Sequence, residues 1–516
     1  MNQDLFPAPT ANPVFFRTYS RRMDGQRESF DQMCDRSVSG LIKLGRLTPA
    51  EAALVRQQLQ ELRSMPSGRW LWVGGTVWSE NPENFSGAYN CTSTEVVDWR
   101  SFGLMMDLAM QGSGTGAILE NRCISQLPVI RNHLSVTVEG GFGAASTRED
   151  NTLILVDSMA SPPAVQIIVG DSRQGWVHAY QSLLELSSDT TCNWGRSIPV
   201  TVNISNVRPA GEALKGFGGV ANPIKLTDLF PRCAAILNKA IGRQLTSVEC
   251  CLLIDEAAAV VVAGNVRRSA GMRQGDSEDL GFAGAKENLW QQGEDGQWRI
   301  DPERDALRMA NHTRVYHHQP TETECIEAVR KQFYSGEGAI QYAPEAIARS
   351  NADLLDTPEL KQRFLEVYTQ EGRDSAWWFL EPFGKDVMSN RELEHRLTRY
   401  GLNPCGEILL KNNFCNLSEV HLNRIDPLDS EAQKKAFTAA ALSVSALLHH
   451  KFVESRYQES RELDPIVGVS FTGLFDFFVH AFGVEWLRWW EAGRPDDTVT
   501  GLEFKQREQE YLTRWK

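Results

Sequence analysis

Apolar positions recur every three to four residues from Arg27 to about Met65, which predicts two helices. The second is announced by Thr48-Pro49-Ala50-Glu51: an N-cap, a proline at the first helical position and a glutamate at the third. Gly68 to Trp78, rich in aromatics and valine, suits a strand entry, and Ser101 to Met110 reads as a helix stopped by the Gly112–Gly116 cluster. Between Leu127 and about Asn222 the period changes to two. Leu134-Ser135-Val136-Thr137-Val138 alternates, and Ile198, Val200, Val202 and Ile204 share one face. Pro199 limits that second run to an edge strand. Leu245 to Ala263 predicts a long apolar helix ended by Gly264. Residues 276–302 are polar and read as surface, Glu322 to Tyr334 as an amphipathic helix, and 351–400 as charged and helical. Asp429 to Arg456 is again helical, Leu463 to Val484 is apolar and punctuated by glycine, and Leu502 to Lys516 is an amphipathic helix without glycine, proline or cap. Strand and helix patterns in one chain predict an α/β protein.

Composition narrows the class. Of 516 residues, 42% are hydrophobic and 23% charged, as in soluble globular proteins. No apolar run reaches the roughly 18–20 residues of a membrane span, and Met1 to Pro13 has no apolar signal core, so a cytoplasmic protein without a membrane partner is expected. The net charge of −13 argues against a partner such as nucleic acid, yet leaves nucleotide binding open, because a nucleotide needs only a few local cations and N–H groups. Ten cysteines without a C-x-x-C predict reduced thiols, and Cys250-Cys251 read as core. His317-His318 and His449-His450 lack the spacing of helical metal ligands, so no metal site is expected. No P-loop motif is present.

One loop concentrates chemistry. In Asn403-Pro404-Cys405-Gly406-Glu407 a thiol has an amide two residues before it and a carboxylate two residues after it, with Cys415 ten residues on. Pro404 fixes one backbone angle and Gly406 permits conformations that other residues resist. A catalytic loop is expected. A cysteine-dependent hydrolase or transferase is one alternative, but it needs a histidine base, and none neighbours Cys405 in sequence.

This loop, with Phe414-Cys415-Asn416-Leu417-Ser418-Glu419-Val420 behind it, resembles the finger loop of ribonucleotide reductases. The similarity is greatest to the adenosylcobalamin-dependent (class II) enzymes, and among them to the monomeric ribonucleoside-triphosphate reductases. Phe15-Phe16-Arg17-Thr18-Tyr19-Ser20, Asn90-Cys91-Thr92-Ser93, Gly112-Ser113-Gly114-Thr115-Gly116, Arg208-Pro209-Ala210-Gly211-Glu212, Gly264-Asn265-Val266-Arg267-Arg268-Ser269-Ala270 and Ser335-Gly336-Glu337-Gly338 extend the resemblance in order along the chain.

The resemblance implies a ten-stranded α/β barrel with a central finger loop. It divides the chain into a mostly helical region with the barrel entry (1–90) and a partial catalytic barrel (91–516). An effector-binding insert lies at about 130–240 and the finger loop at about 401–416. It implies reduction of ribonucleoside triphosphates by a thiyl radical on Cys405, with Glu407 as base at the 3′-hydroxyl and Asn403 orienting the ribose hydroxyls. Cys91 and Cys415 would be the redox-active dithiol, reset by a thioredoxin-type reductant. Arg267 and Arg268, with Gly114 and Gly116, match the loop and glycine stretch that relay a deoxynucleotide (dNTP) effector. Adenosylcobalamin would start the radical, although an Asp-x-His-x-x-Gly cobalamin segment is absent, as in these reductases. Mg would accompany the nucleotide, and the protein would be a monomer. Relatives continue well past the position of Lys516, so a C-terminally truncated, split or inactive piece is a further reading. A glycyl-radical or metal-initiated reductase is another.

Overall fold

Five parallel strands, laid side by side in chain order, form the sheet on which the site is built. They are Cys91–Glu95, Gly114–Ile118, Gly271–Asp276, Asn311–Tyr316 and Ala339–Tyr342, and the short strand Asn413–Phe414 adds antiparallel beside the first. The structure is a computed structural model that describes residues 10–23, 26–159, 163–191, 197–212, 221–263, 270–406 and 408–516. Two compact units emerge, Cys91–Phe414 and a second made of Met1–Asn90 with Cys415–Lys516. The α/β class is as expected. Among the described residues the strands do not close into a barrel.

In the first unit the two leading strands are buried along their whole length, although their residues are small and polar rather than branched and apolar. Burial on both faces is usual for a parallel sheet. The helix Trp99–Met110 connects them, as its sequence pattern predicted, with Asp98 as N-cap accepting from the Ser101 N–H. Between Ile118 and Gly271 the chain builds a second sheet with the order Leu134–Glu139, Ile198–Asn203, Ala164–Ile168, Leu153–Asp157. Helices Arg173–Ser188, Leu226–Lys239 and Ser247–Ala263 share a core with it.

Here one expectation fails. Ile198–Asn203 is an inner strand, not an edge strand, despite Pro199. The Ile198 N–H donates to His133 O, toward the Leu134–Glu139 side, so the position of Pro199 faces the other neighbour. The ladder with that neighbour begins only at Val200, opposite Val165, and no N–H is demanded of the proline.

The unit of Met1–Asn90 and Cys415–Lys516 contains the two predicted helices, Phe30–Gly45 and Pro49–Gln60, each opened by a capping box. Its sheet has Leu417–His421 at the centre, parallel to Gly468–Thr472 and antiparallel to Ser64–Pro66. Gly68 to Trp78 does not enter a strand; it forms two short helices, Gly68–Val73 and Val77–Glu80. Ser67 and Thr76 cap them by accepting from the N–H groups of Trp70 and Ser79, and buried Trp70 donates to Ser37 O at 3.0 Å. Caps and tertiary burial override the β-propensity of the aromatics. Phe477, Phe478, Trp486, Trp489 and Phe504 form the apolar centre beneath the helix Val499–Trp515.

Each unit holds an imidazole that resists charging, buried in the case of His395 and half-buried in that of His450. Burial, assisted by Lys411 and Arg399, holds His395 down at about 4. Burial, with Arg461 nearby, holds His450 at about 3, and its ring stacks on Phe85 at 3.5 Å. Both values lie below the ordinary unfolded value of about 6.5. The unfolded chain therefore binds more protons as pH falls below about 6.5. Folding stability should decline through that window, by up to about 1.4 kcal/mol per pH unit for each ring, and level off near the folded values. Urea midpoints at pH 7 and pH 5 measure this, and His450→Phe should remove its ring's share of the slope. An unchanged slope in that variant would contradict the assignment.

Candidate active site

The Cys405 loop is the turn of a small hairpin. Gly401–Leu402 pairs antiparallel with Ile408–Leu409, which leaves residues 403–407 as the connection. The Gly406 N–H donates to Asn403 O at 3.0 Å, closing a turn with Pro404 and Cys405 at its centre. Gly406 has φ +77°, the left-handed conformation that follows such a turn and favours glycine. Asn403 is buried while Cys405 is exposed at the tip.

The root of the hairpin is fixed to the sheet by a residue that the sequence pattern had not singled out. Gln274, buried in the central strand, accepts from the Leu402 N–H at 2.7 Å and donates to Tyr400 O at 3.2 Å and Gln341 Oε1 at 2.9 Å. One amide thus joins the third strand, the fifth strand and the incoming finger. A polar residue inside a buried parallel strand is the signal that could have flagged it. On the outgoing side, the Thr92 hydroxyl donates to Asn413 O at 2.9 Å, and Asn412 Oδ1 accepts from the Glu95 N–H at 3.1 Å.

Near the root is a charged cluster. Arg122 Nη1 lies 2.7 Å from Glu95 Oε1, and Lys411 Nζ 3.4 Å from Glu95 Oε2. Burial pushes the Glu95 carboxyl up, but Arg122 and Lys411 outweigh it and hold it below the usual carboxylate range. Glu95 therefore stays ionised at neutral pH, with two cations against its one carboxylate.

At the tip, Cys405 Sγ lies 3.6 Å from Cys91 Sγ, which is far longer than the disulfide length of about 2.05 Å and within reach of an S–H···S contact. Cys91 opens its strand, so the finger runs from the far end of the first two strands, at Glu95, back to their beginning. Gly114 and Gly116, read from the sequence with the effector loop, lie directly under it. A Cβ on Gly114 would meet Cys91 Sγ and Pro404 Cγ, each at 3.0 Å. A Cβ on Gly116 would press into the carbonyl oxygens of Leu402 and Thr92, the latter at 2.7 Å. Ala270, the last residue of the Gly264–Ala270 stretch, accepts from the Thr115 N–H at 2.9 Å, so that stretch ends on the same glycine strand. Arg267, Arg268 and Glu407 lie outside the described residues. Cys415 belongs to the other unit, where it is buried just before the Leu417–His421 strand.

Known proteins resemble this chain over nearly all of its length. Residues 144–237 match the model of the B12-dependent ribonucleotide reductase insertion domain, and fall within the sheet-bearing insert. The adenosylcobalamin-dependent ribonucleoside-triphosphate reductase of Lacticaseibacillus paracasei is 28% identical over 91% of this chain and 62% of its own length. That of Levilactobacillus brevis is 27% identical over 96% and 64%. This chain is similar to the adenosylcobalamin-dependent ribonucleotide reductases. The fold agrees as well: a crystal structure of a B12-dependent (class II) ribonucleotide reductase superimposes with a TM-score of 0.67 at 20% identity, covering 92% of this chain and 64% of that one. The chain spans a little under two thirds of the length of the curated reductases it matches. No helix among the described residues is long and apolar enough to cross a membrane.

Proposed function

We propose that this reductase relative converts ribonucleoside triphosphates to 2′-deoxyribonucleoside triphosphates, as a cytoplasmic monomer, for DNA precursor synthesis. The observation that carries the reading is the exposed Cys405 thiol at the tip of a pinned hairpin, with the Cys91 thiol 3.6 Å away.

Hydroxide is a poor leaving group from an unactivated carbon. A radical at the neighbouring 3′ carbon removes that obstacle. Cys405, as a thiyl, takes the 3′ hydrogen atom, and Glu407 accepts the 3′-hydroxyl proton, a step of the kind that contributes about 10²–10⁴-fold. Asn403 orients the ribose hydroxyls. The 2′ oxygen takes a proton from the dithiol and leaves as water. Cys91 and Cys415 supply two electrons and two protons in all and end as a disulfide, and Cys405 returns its hydrogen atom to the 3′ carbon. The sum is one nucleotide and two thiols giving one deoxynucleotide, water and one disulfide. The pairing of Cys91 with Cys415 rests on the similarity of their Asn-Cys and Cys-Asn-Leu-Ser surroundings to those of the reductases. A thioredoxin-type dithiol then resets the pair by exchange.

Adenosylcobalamin fits the tip on one observation: Cys405 is exposed, and a Cβ on Gly406 would meet nothing within 4 Å among the described residues, so a large group can approach. When bound it supplies the initiating radical by homolysis of its cobalt–carbon bond. Arg267 and Arg268 would read a deoxynucleotide effector and pass its identity along the Gly114–Gly116 strand, and Mg would accompany the triphosphate. A thiol hydrolase is less well supported, because it needs an imidazole beside the nucleophile and the group 3.6 Å from Cys405 is a second thiol.

The test is incubation of the protein with CTP, adenosylcobalamin and a dithiol. The expected result is dCTP in proportion to dithiol oxidised, with CTP preferred to CDP. Formation of no dCTP would refute the activity, and strong preference for CDP would refute the triphosphate assignment.

A further inference from the structure

The sheet ends opposite the Cys405 tip carry a group of side chains that the reaction does not use. Glu120 follows the second strand by two residues, Asp276 ends the third, and His317 follows the fourth. These strands are consecutive parallel neighbours, so their C-terminal ends converge, as they do where α/β proteins bind ligands. One ligand-capable atom from each of Glu120, Asp276 and His317 lies within 4.8 Å of the other two.

The group is incomplete as a salt-bridge hub. Glu120 is 1% exposed, and its Oε2 accepts from the Tyr400 hydroxyl at 2.8 Å and lies 3.2 Å from Arg122 Nε and 3.3 Å from His317 Nε2. Its Oε1 is buried with no hydrogen-bond partner. Such an oxygen costs about 1–3 kcal/mol or more when left unmet. Asp276 accepts from the Asn121 N–H at 2.6 Å and meets no lysine or arginine among the described residues. Arg122 and Lys411 are committed to Glu95 as well. Three carboxylates, Glu95, Glu120 and Asp276, thus face two cations.

We propose that Glu120, Asp276 and His317 bind a divalent cation at the root of the finger. One imidazole and two carboxylates suit Mn, Fe, Co or Zn better than Mg or Ca, which favour all-oxygen sets. His317 Nδ1 is 3.1 Å from the Tyr368 hydroxyl, a partner that would fix the ring with Nε2 toward the cation. The site would steady the hairpin. Tyr400 bonds Glu120 through its hydroxyl and Gln274 through its carbonyl, and Gln274 in turn holds Leu402. The site is separated from Cys91 by a strand length, about 13 Å for five residues, and it stands whether or not the reductase reading does.

The probe is Mn²⁺ added to EDTA-treated protein, with free Mn²⁺ followed by its electron paramagnetic resonance signal. One Mn²⁺ per chain is expected, weakened at least about ten-fold in Asp276→Asn and in His317→Gln. No stoichiometric binding by the wild type overturns the proposal, and so does unchanged binding in both variants. If the variants fail to fold, anomalous diffraction from Mn²⁺-soaked wild-type crystals decides. A peak among Glu120, Asp276 and His317 supports the site, and its absence overturns it.

Discussion

Replacing Cys405 by serine should lower deoxynucleotide formation by more than about 10³-fold while leaving the fold intact. The cysteine is exposed at a turn, so the change removes no core packing, and stability should move by less than about 0.5 kcal/mol. The chemistry, by contrast, depends on sulfur. An S–H bond and an activated C–H bond are close in strength, which makes hydrogen transfer reversible; an O–H bond is much stronger, and the serine hydroxyl cannot be converted to the reactive radical. A 10³-fold loss corresponds to about 4 kcal/mol of barrier, far more than loss of an orienting contact gives. Cys91→Ser provides the contrast. On the proposed mechanism it removes an electron donor rather than the abstractor, so reduction should fail while the radical step at Cys405 survives. Residual reduction in Cys405→Ser near the wild-type rate would remove the thiyl assignment.

Gly116→Ala should be the most damaging single methyl in the sheet. Its Cβ would collide with two backbone carbonyl oxygens, those of Leu402 and Thr92, and neither can swing away as a side chain would. The finger must lift from the strand or the strand must bend. Overpacking of this kind costs about 1–3 kcal/mol, and here it also strains the Gln274–Leu402 hydrogen bond, so about 2–4 kcal/mol is expected from urea midpoints. Gly114→Ala should cost less, because it meets a sulfur and a ring carbon at 3.0 Å. Gly284→Ala, in ordinary contact with the Glu287 side chain, is the control. A Gly116→Ala midpoint equal to that of the control would show that the finger does not rest on this strand.

The tip of the site was legible because its chemistry is contiguous. Five adjacent residues hold the amide, the thiol and the turn-forming proline and glycine, and the hairpin follows from them. What supports the tip was not legible, because it is assembled across the sheet. Gln274 reads as a surface residue to any periodicity argument, and only strand order places it under Leu402. Glu120, Asp276 and His317 come from three separate strand ends, so no spacing along the chain predicts their meeting. His317, beside His318, accordingly lacks in sequence the spacing of a helical metal ligand. Pro199 shows the limit of a residue rule: which neighbour its missing N–H faces decided its place, and that depends on register. Gly68 to Trp78 shows that two serine and threonine caps can redirect an aromatic, β-prone segment into helices.

The central claim is that Cys405 exchanges a hydrogen atom with the radical source at the finger tip. It is tested most directly with adenosylcobalamin tritiated at the 5′ carbon, incubated with the protein and an effector nucleotide while tritium release to water is followed. Release is expected with the wild type and with Cys91→Ser, and none with Cys405→Ser. Tritium release by Cys405→Ser at the wild-type rate would contradict it.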